Sequence, residues 1–236
     1  MWTRRLSSLG CVIALLCGPV FALEADRSSG LAAGLPLNTK LTKLGDEIYL
    51  NGIPAEIVGI AVPASIKETT LFFAKKWTAD GWRVKVERNG DFIAVTSNNG
   101  TLQRVAMLTK TGEDSTEGSL SMTDLPLRLT NGGGPQLPVA EHLLKPSNTT
   151  VLNEVRVRDQ MGESIMTTMA NQFDVEQNVA FYRERMVEEG WKEKKHKTVS
   201  EGRGVIVEFE RPGKDASFTV VKQGRQTFVN VNWINH

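Results

Sequence analysis

The sequence predicts an α+β fold made of two tandem, divergent β-β-α-β-β-β-β units, each an antiparallel sheet with one helix on one face. The first observation is an internal repeat, in which Phe72-Phe73 aligns with Phe181-Tyr182 at an offset of 109 residues. Gly81-Trp82 aligns with Gly190-Trp191 at the same offset. The second observation is that each copy has one amphipathic helix followed by alternating apolar residues, which is typical of consecutive strands.

The first 22 residues have the three regions of a secretory signal peptide. Arg4 and Arg5 supply the positive start, residues 9–20 form an apolar stretch, and Val20-Phe21-Ala22 is a small-x-small cleavage site. The sequence therefore predicts Sec-type export with cleavage after Ala22. We expect a periplasmic protein, with the extracellular space as the alternative compartment.

Two other kinds of signal fit less well. Lipidation at Cys17 would need a small residue before the cysteine, but Leu16 is bulky. A twin-arginine signal would have bulkier residues than Ser7-Ser8 after the arginine pair. No later segment has the roughly 20 predominantly apolar residues of a membrane helix, so we expect no transmembrane segment after cleavage.

Composition argues against several classes of site. Both cysteines, Cys11 and Cys17, lie in the predicted signal peptide, so the mature chain would lack disulfides, thiolate metal ligands and a cysteine nucleophile. Removal of the signal lowers the 28 basic residues by two, against 27 acidic residues, and the net charge becomes −1. Binding to nucleic acid depends on a one-sided basic field, so we expect no nucleic-acid partner.

Both helices have start and stop signals. Ser65-Ile66-Lys67-Glu68 forms a capping-box pattern, and Asp174-Val175-Glu176-Gln177 repeats it with allowed substitutes. Gly81 and Gly190 follow where a helix of about four turns needs a left-handed residue at its end. The large apolar side chains of these segments are expected in the core: Phe72, Phe73, Trp77, Trp82, Phe181, Tyr182 and Trp191.

The strands are predicted from alternating apolar residues bounded by turn residues. In the first unit they are expected at 83–88, 91–97, 102–109 and 119–123, with a polar loop over 111–118. In the second unit they are expected at 192–198, 205–210, 216–222 and 227–233. Ahead of the helices, strands are expected at 47–50 and 55–61, and again at 155–158 and 164–170.

These elements divide the chain into five segments. A flexible stretch follows the signal peptide, and a Pro/Gly-rich linker with one short helical turn at 139–144 separates the two units. The predicted boundaries are 1–22 for the signal peptide, 23–45 for the flexible segment, 46–124 for the first unit, 125–152 for the linker and 153–236 for the second unit.

The residue types that carry catalysis or bind metals are scattered. His142, His196 and His236 have no metal-ligand spacing, and there is no Gly-x-Ser-x-Gly nucleophile motif. The acidic groups Glu113-Asp114-Glu117 and Glu188-Glu189 are expected on solvated surface. The sequence therefore predicts no catalytic residue, no metal site and no cofactor.

The most basic segment is the strand predicted at 192–198. We expect it to be a solvated edge strand, with lysines that discourage unwanted strand pairing. The same lysines make it a candidate surface for an anionic ligand or an acidic partner. The candidate surface consists of Lys192, Lys194, Lys195, Lys197 and Arg203.

Together these features favour an exported, non-enzymatic envelope protein that acts as a protein-binding or assembly module, with another envelope protein as its partner. The alternative is a periplasmic protein that binds a small ligand or a glycan at a site between the two repeats. A hydrolase is the reading with the least support.

Overall fold

The computed structural model describes residues 23–24, 30–31, 34–125, 144–199 and 204–236. These residues form two compact units. Unit 1 contains those of 1–48 and 53–135, and unit 2 contains those of 49–52 and 136–236. Antiparallel strands dominate and the described residues include two α-helices, so the predicted α+β class is confirmed. The predicted signal peptide, 1–22, lies outside the described residues.

Unit 1 has one helix, α1, packed on one face of an antiparallel sheet. Its first elements are β1 (Leu23–Glu24), β2 (Lys40–Lys43), β3 (Glu47–Leu50, whose last two residues belong to unit 2), β4 (Ile53–Val62) and α1 (Ile66–Ala79). The strands that follow are β5 (Arg83–Asn89), β6 (Phe92–Asn99), β7 (Leu102–Gly112) and β8 (Ser115–Asp124). The pairing order is β1-β2-β4-β8-β7-β6-β5.

Unit 2 has the element order β-β-α-β-β-β-β. Its elements are β9 (Thr150–Asp159), β10 (Gly162–Asn171), α2 (Val175–Glu188), β11 (Lys192–Val199), β12 (Gly204–Arg211), β13 (Lys214–Gln223) and β14 (Gln226–Asn235). The antiparallel order is β9-β10-β14-β13-β12-β11. The hairpin strands β9 and β10 are thus joined to β14, and β11 forms one edge of this sheet.

Both helices begin at the predicted residues. The backbone N–H of Glu68 donates to Ser65 Oγ at 3.3 Å, and the N–H of Ser65 donates to Glu68 Oε2 at 3.1 Å. At the start of α2, the N–H of Asp174 donates to Gln177 Oε1 at 2.9 Å. These bonds satisfy backbone donors that have no partner within the first helical turn.

Both helices also end just before the predicted glycines. Gly81 and Gly190 have φ angles of 83° and 78°, which a residue with a Cβ adopts only with strain. The N–H of Trp82 then donates to Trp77 O, and the N–H of Trp191 donates to Met186 O, each at 2.9 Å. These bonds hold each tryptophan at the end of its helix, from where its ring enters the core.

The aromatic residues predicted in the core lie there to different degrees. Phe73, Trp77, Trp82, Tyr182 and Trp191 are buried. Phe72 and Phe181 are half-buried and pack against the cores of units 1 and 2 respectively.

The predicted loop over 111–118 is wrong. Strand β7 continues to Gly112 and β8 begins at Ser115, so only Glu113 and Asp114 form the turn. Thr116 is buried, and its hydroxyl donates to Ala64 O at 2.9 Å, just before the helix cap. Thr116 is thus a polar residue whose side chain is buried in the fold, and such a residue made the start of β8 resemble a loop in the sequence.

Two strands of the structure include residues outside the predicted repeat boundaries. Lys40–Lys43, inside the segment expected to be flexible (23–45), form β2 because they pair with β4, with buried Leu41 opposite Ile60. Strand β9 begins at Thr150, inside the linker predicted over 125–152. Residues 126–143 of that linker, which include His142 and most of the predicted helical turn, lie outside the described residues.

A buried pair of amides joins the start of α2 to the end of β10. Asn171 Nδ2 donates to Asn178 Oδ1 at 2.8 Å, and Asn178 Nδ2 donates back to Asn171 Oδ1 at 3.1 Å. Asn178 Nδ2 also donates to Asp174 O at 2.9 Å, and Asn171 Nδ2 donates to Thr149 Oγ1 at 3.2 Å. The residues 109 positions earlier in unit 1 are Val62 and Thr69, which are buried but cannot form such an amide pair.

Asn178→Ala should therefore lower the free energy of unfolding of unit 2 by about 2–3 kcal/mol, because it leaves the buried Asn171 amide short of partners. Chemical denaturation followed by circular dichroism measures the loss. Thr69→Val is the matched control in unit 1: it keeps the side-chain volume and removes a buried hydroxyl that has no partner among the described atoms. A loss for Asn178→Ala no larger than that for Thr69→Val would contradict the prediction.

Candidate functional site

The candidate basic surface lies on β11, an edge strand of unit 2. Lys192, Lys194, Lys195 and Lys197 are all exposed, while Arg203 lies outside the described residues. The pairing of β11 with β12 shifts between Glu193 and Lys195, which marks a β-bulge. A bulge twists an edge and makes it a poor template for another strand.

Carboxylates on the neighbouring strands neutralise part of this surface. Lys194 Nζ lies 3.3 Å from Glu210 Oε2 and 3.9 Å from Asp215 Oδ1. Lys195 Nζ lies 3.0 Å from Glu208 Oε1. The hydrogen bond with Glu210 raises the pKa of Lys194, so this lysine keeps its charge but offers less of it to a ligand. The sequence could not show these pairs, because they depend on the register of β11, β12 and β13.

Strand β5 is an edge that the sequence analysis did not single out. It pairs with β6 over seven consecutive residues, from Arg83 opposite Asn98 to Asn89 opposite Phe92, without a shift in register. The side chain of Val86 is 48% exposed. Lys85 Nζ lies 2.7 Å from Glu87 Oε1 on the other face. This edge is therefore regular, carries charges of both signs and has an exposed apolar residue.

The helix-free face of unit 2 combines small polar side chains with apolar ones. Ser164 Oγ donates to Asn232 Oδ1 at 2.9 Å, and Thr168 Oγ1 donates to Asn230 Oδ1 at 2.8 Å. Asn230 and Asn232 are half-buried and alternate along β14 with the buried core residues Val229 and Val231. The same face also carries half-buried apolar residues, which share the strand parity of Asn230 and Thr219: Ile206, Val221, Phe228 and Ile234.

Glu154 on β9 is a buried carboxylate in unit 2. Its side chain is 7% exposed, and Oε1 lies 3.8 Å from Arg156 Nη2. Asn51 binds its backbone: the N–H of Asn51 donates to Glu154 O and the N–H of Glu154 donates to Asn51 Oδ1, each at 2.8 Å. Burial raises the pKa of Glu154. The positive charge of Arg156 lowers this pKa by a smaller amount, and the negative charge of Glu163 raises it further.

Glu154→Gln should stabilise unit 2 relative to the wild type at neutral pH. A carboxyl whose folded pKa is raised binds protons more tightly in the folded state, so the free energy of unfolding falls as pH rises above the unfolded pKa of about 4.3. The gain from Glu154→Gln should therefore grow from pH 4 to pH 7, as measured by denaturant titrations. Glu113→Gln, at a carboxylate whose side chain is 95% exposed, is the control. Equal pH profiles for the two variants would contradict the prediction.

Unit 1 contains an open cleft of about 580 Å³ near the start of α1. Ile66 and Ile93 provide its apolar part. Two positive and two negative charges also line it: Arg88, Lys110, Asp91 and Glu113. The lining therefore suits a small ligand with an apolar body and charges of both signs.

The two histidines within the described residues lie apart. His196 is exposed on β11, and His236 Nε2 lies 2.8 Å from Asp215 Oδ2. Among the described residues, no three His, Cys, Asp or Glu side chains come together as metal ligands. Glu188, one of the acidic residues considered as a candidate, forms an exposed ion pair with Arg185 at 2.8 Å.

Within the described parts of the chain, no helix is both long and apolar enough to cross a membrane. No protein-family model matches this chain, and no curated protein or solved structure is significantly similar to it.

Proposed function

We propose that the chain is an exported, non-enzymatic envelope protein that acts as a protein-binding or assembly module in the periplasm. Residues 1–22 support export, because they have the charged start, apolar stretch and small-x-small site of a Sec-type signal. The partner is another protein of the envelope, and binding requires no cofactor.

The proposal includes a fold made of two divergent copies of one unit. The capping boxes and the glycines with positive φ at the helix ends support it, since they recur at an offset of 109 residues. A contact between distant elements recurs as well: the hydroxyl of Thr116 donates to Ala64 O, and that of Thr227 donates to Phe173 O. In both units a threonine near the start of the last strand thus holds the residue before the helix cap.

The observation that carries the proposed function is the helix-free face of unit 2. Its Ser, Thr and Asn side chains form hydrogen-bonded pairs between β10 and β14 and leave further donors and acceptors half-exposed. A face of this kind can exchange water for the polar groups of a partner, while its half-buried apolar side chains, such as Phe228, contact apolar groups of that partner.

Site-specific photocrosslinking in living cells tests this function. A photoreactive phenylalanine analogue is placed at Ser217, which precedes buried Phe218 on β13 and therefore points to the helix-free face. The control position is Val187 on α2, whose side chain is 64% exposed. We expect one discrete protein adduct from position 217 and none from position 187. Adducts of equal pattern from both positions, or none from either, would contradict the proposal.

The cleft of unit 1 favours a second candidate function, the binding of a small ligand or glycan. Its volume of about 580 Å³ lies in the range of ligand pockets. A compound that binds there should raise the melting temperature of the wild type in proportion to RT ln(1 + [L]/Kd) and lose this effect in Arg88→Ala. An unresponsive melting curve across a broad panel of metabolites and glycans would remove this candidate. The position between the two repeats that the sequence analysis suggests for such a ligand stays a prediction.

A further inference from the structure

The outer edge of β5 has unpaired backbone groups whose direction follows from its hairpin. Only Gly90 and Asp91 connect β5 to β6, and Asn89 lies opposite Phe92. In a two-residue hairpin the residues that flank the turn exchange backbone hydrogen bonds with each other. Hydrogen-bonded and non-hydrogen-bonded residue pairs then alternate along the two antiparallel strands. The N–H and C=O groups of Val84, Val86 and Arg88 therefore point away from β6. Among the described strands, β5 pairs with β6 alone.

This edge is complementary to itself. When two copies of β5 are placed antiparallel with Val86 on a twofold axis, Val84 comes opposite Arg88 of the second copy. All three outward-pointing residues then meet outward-pointing residues, as an antiparallel ladder requires. Registers displaced by an odd number of residues would not allow these bonds.

The same register aligns opposite charges. Lys85 comes opposite Glu87 of the second copy, and Glu87 comes opposite Lys85. Within one chain these two side chains already form an ion pair at 2.7 Å. Two copies would thus form a square of alternating charges on one face of the sheet. On the other face, the two Val86 side chains would contact each other and lose their exposure to water.

Strand β11 shows the opposite arrangement at the corresponding edge of unit 2. It has a bulge after Glu193, and lysines occupy four of its first six positions. Pairing of two β11 edges would bring lysines together and interrupt the ladder. Edge-to-edge association is therefore favoured at β5 and opposed at β11.

We propose that the mature chain forms a symmetric homodimer in which β5 pairs antiparallel with β5 of a second copy, with Val86 on the twofold axis. The occupant of this edge is a second copy of the chain because the charges, the backbone directions and the exposed valine all match in one register. The inference goes beyond the proposed function, since self-pairing requires no other envelope protein. An isologous contact of this kind closes on itself and does not propagate into fibres.

A single cysteine on the axis tests the geometry. Residues 23–236 contain no cysteine, so Val86→Cys introduces the sole thiol. Paired residues in an antiparallel ladder have Cα atoms about 5.5 Å apart, within the range that a disulfide spans. Mild oxidation should convert most of this variant to a covalent dimer at micromolar concentration. Lys194→Cys on β11 is the control and should remain mostly monomeric.

Charge exchange tests the register without any covalent bond. Sedimentation equilibrium of the wild-type mature chain should show a dimer. Lys85→Glu should weaken the dimer about tenfold, because two attractive cross-strand pairs become repulsive. Adding Glu87→Lys to this variant should restore the affinity to within about twofold of the wild type.

Val86→Pro separates dimerisation from folding. Proline at an outward-pointing edge position is compatible with the monomer but removes the N–H on the axis. We expect a folded monomer with the far-ultraviolet circular dichroism of the wild type. A wild-type chain that sediments as a monomer would overturn the proposal. So would a dimer unaffected by Val86→Pro, or a double charge exchange that does not rescue Lys85→Glu.

Discussion

Replacing Trp191 by alanine is expected to lower the free energy of unfolding of unit 2 by about 3–5 kcal/mol. Trp191 is buried, and the centroid of its ring lies 5.4 Å from that of Trp233. The guanidinium carbon of Arg211 lies over the ring of Trp191, 4.4 Å from the ring centroid. The ring belongs to the buried cluster of unit 2, so its removal leaves a cavity in that core.

Hydrogen–deuterium exchange measured by mass spectrometry checks this result, because it assigns the loss of protection to segments of the chain. Trp191→Ala should increase exchange across β10 to β14. Trp191→Phe, which keeps an aromatic ring, should have roughly half the effect. Val187→Ala removes an exposed side chain of the preceding helix and should change the free energy of unfolding by less than about 0.5 kcal/mol. A Trp191→Ala variant as stable as Val187→Ala would mean that the ring does not fill the core of unit 2.

Gly118→Ala should destabilise unit 1 by about 3 kcal/mol or more. Gly118 lies in β8, and a Cβ atom on it would come within 1.9 Å of Met107 O and 3.2 Å of Leu108 Cα. Both atoms belong to the backbone of β7, so no side-chain rotation can relieve the clash. The two strands would have to separate next to buried Leu108 and Leu120.

Gly100→Ala is the matched control for this substitution. Gly100 has a φ of 63°, but a Cβ atom there would meet nothing within 4 Å. Its replacement should therefore cost only the conformational strain of about 1–2 kcal/mol. Thermal and urea unfolding of both variants give the comparison. If Gly118→Ala is less damaging than Gly100→Ala, the strands are not as close at this point as the structure has them.

The positions of the two helices could be predicted because their signals are local. Ser65 and Glu68 lie three residues apart, so the bonds of the capping box depend on short-range geometry alone. Gly81 likewise ends α1 by its own backbone preference. The same reasoning located α2 from Asp174, Gln177 and Gly190, although the identities between the two segments are few.

The lysines of β11 predicted its place at a sheet edge, but the contacts and the regularity of the sheet edges could not be predicted in the same way. Lys194 and Lys195 appear in the sequence as an uninterrupted basic run, and only the neighbouring strands bring Glu210 and Glu208 to them. The bulge in β11 and the regular edge of β5 depend on how each strand pairs with its neighbour, which its own residues determine only in part. Thr116 was misplaced for a related reason, since its hydroxyl binds Ala64, 52 residues earlier in the chain.

Features that arise within a few residues can be predicted from the amino-acid sequence: the signal-like start, the α+β class, the bounds of both helices and the inward-facing aromatic residues. The folded chain is needed to see the amide pair of Asn171 and Asn178, the burial of Glu154 and the open edge at Val86. The difference lies in the sequence separation over which each interaction acts. Capping and turn preferences are properties of neighbouring residues, whereas pairing, burial and desolvation arise from strands that are distant in sequence and adjacent in the sheet.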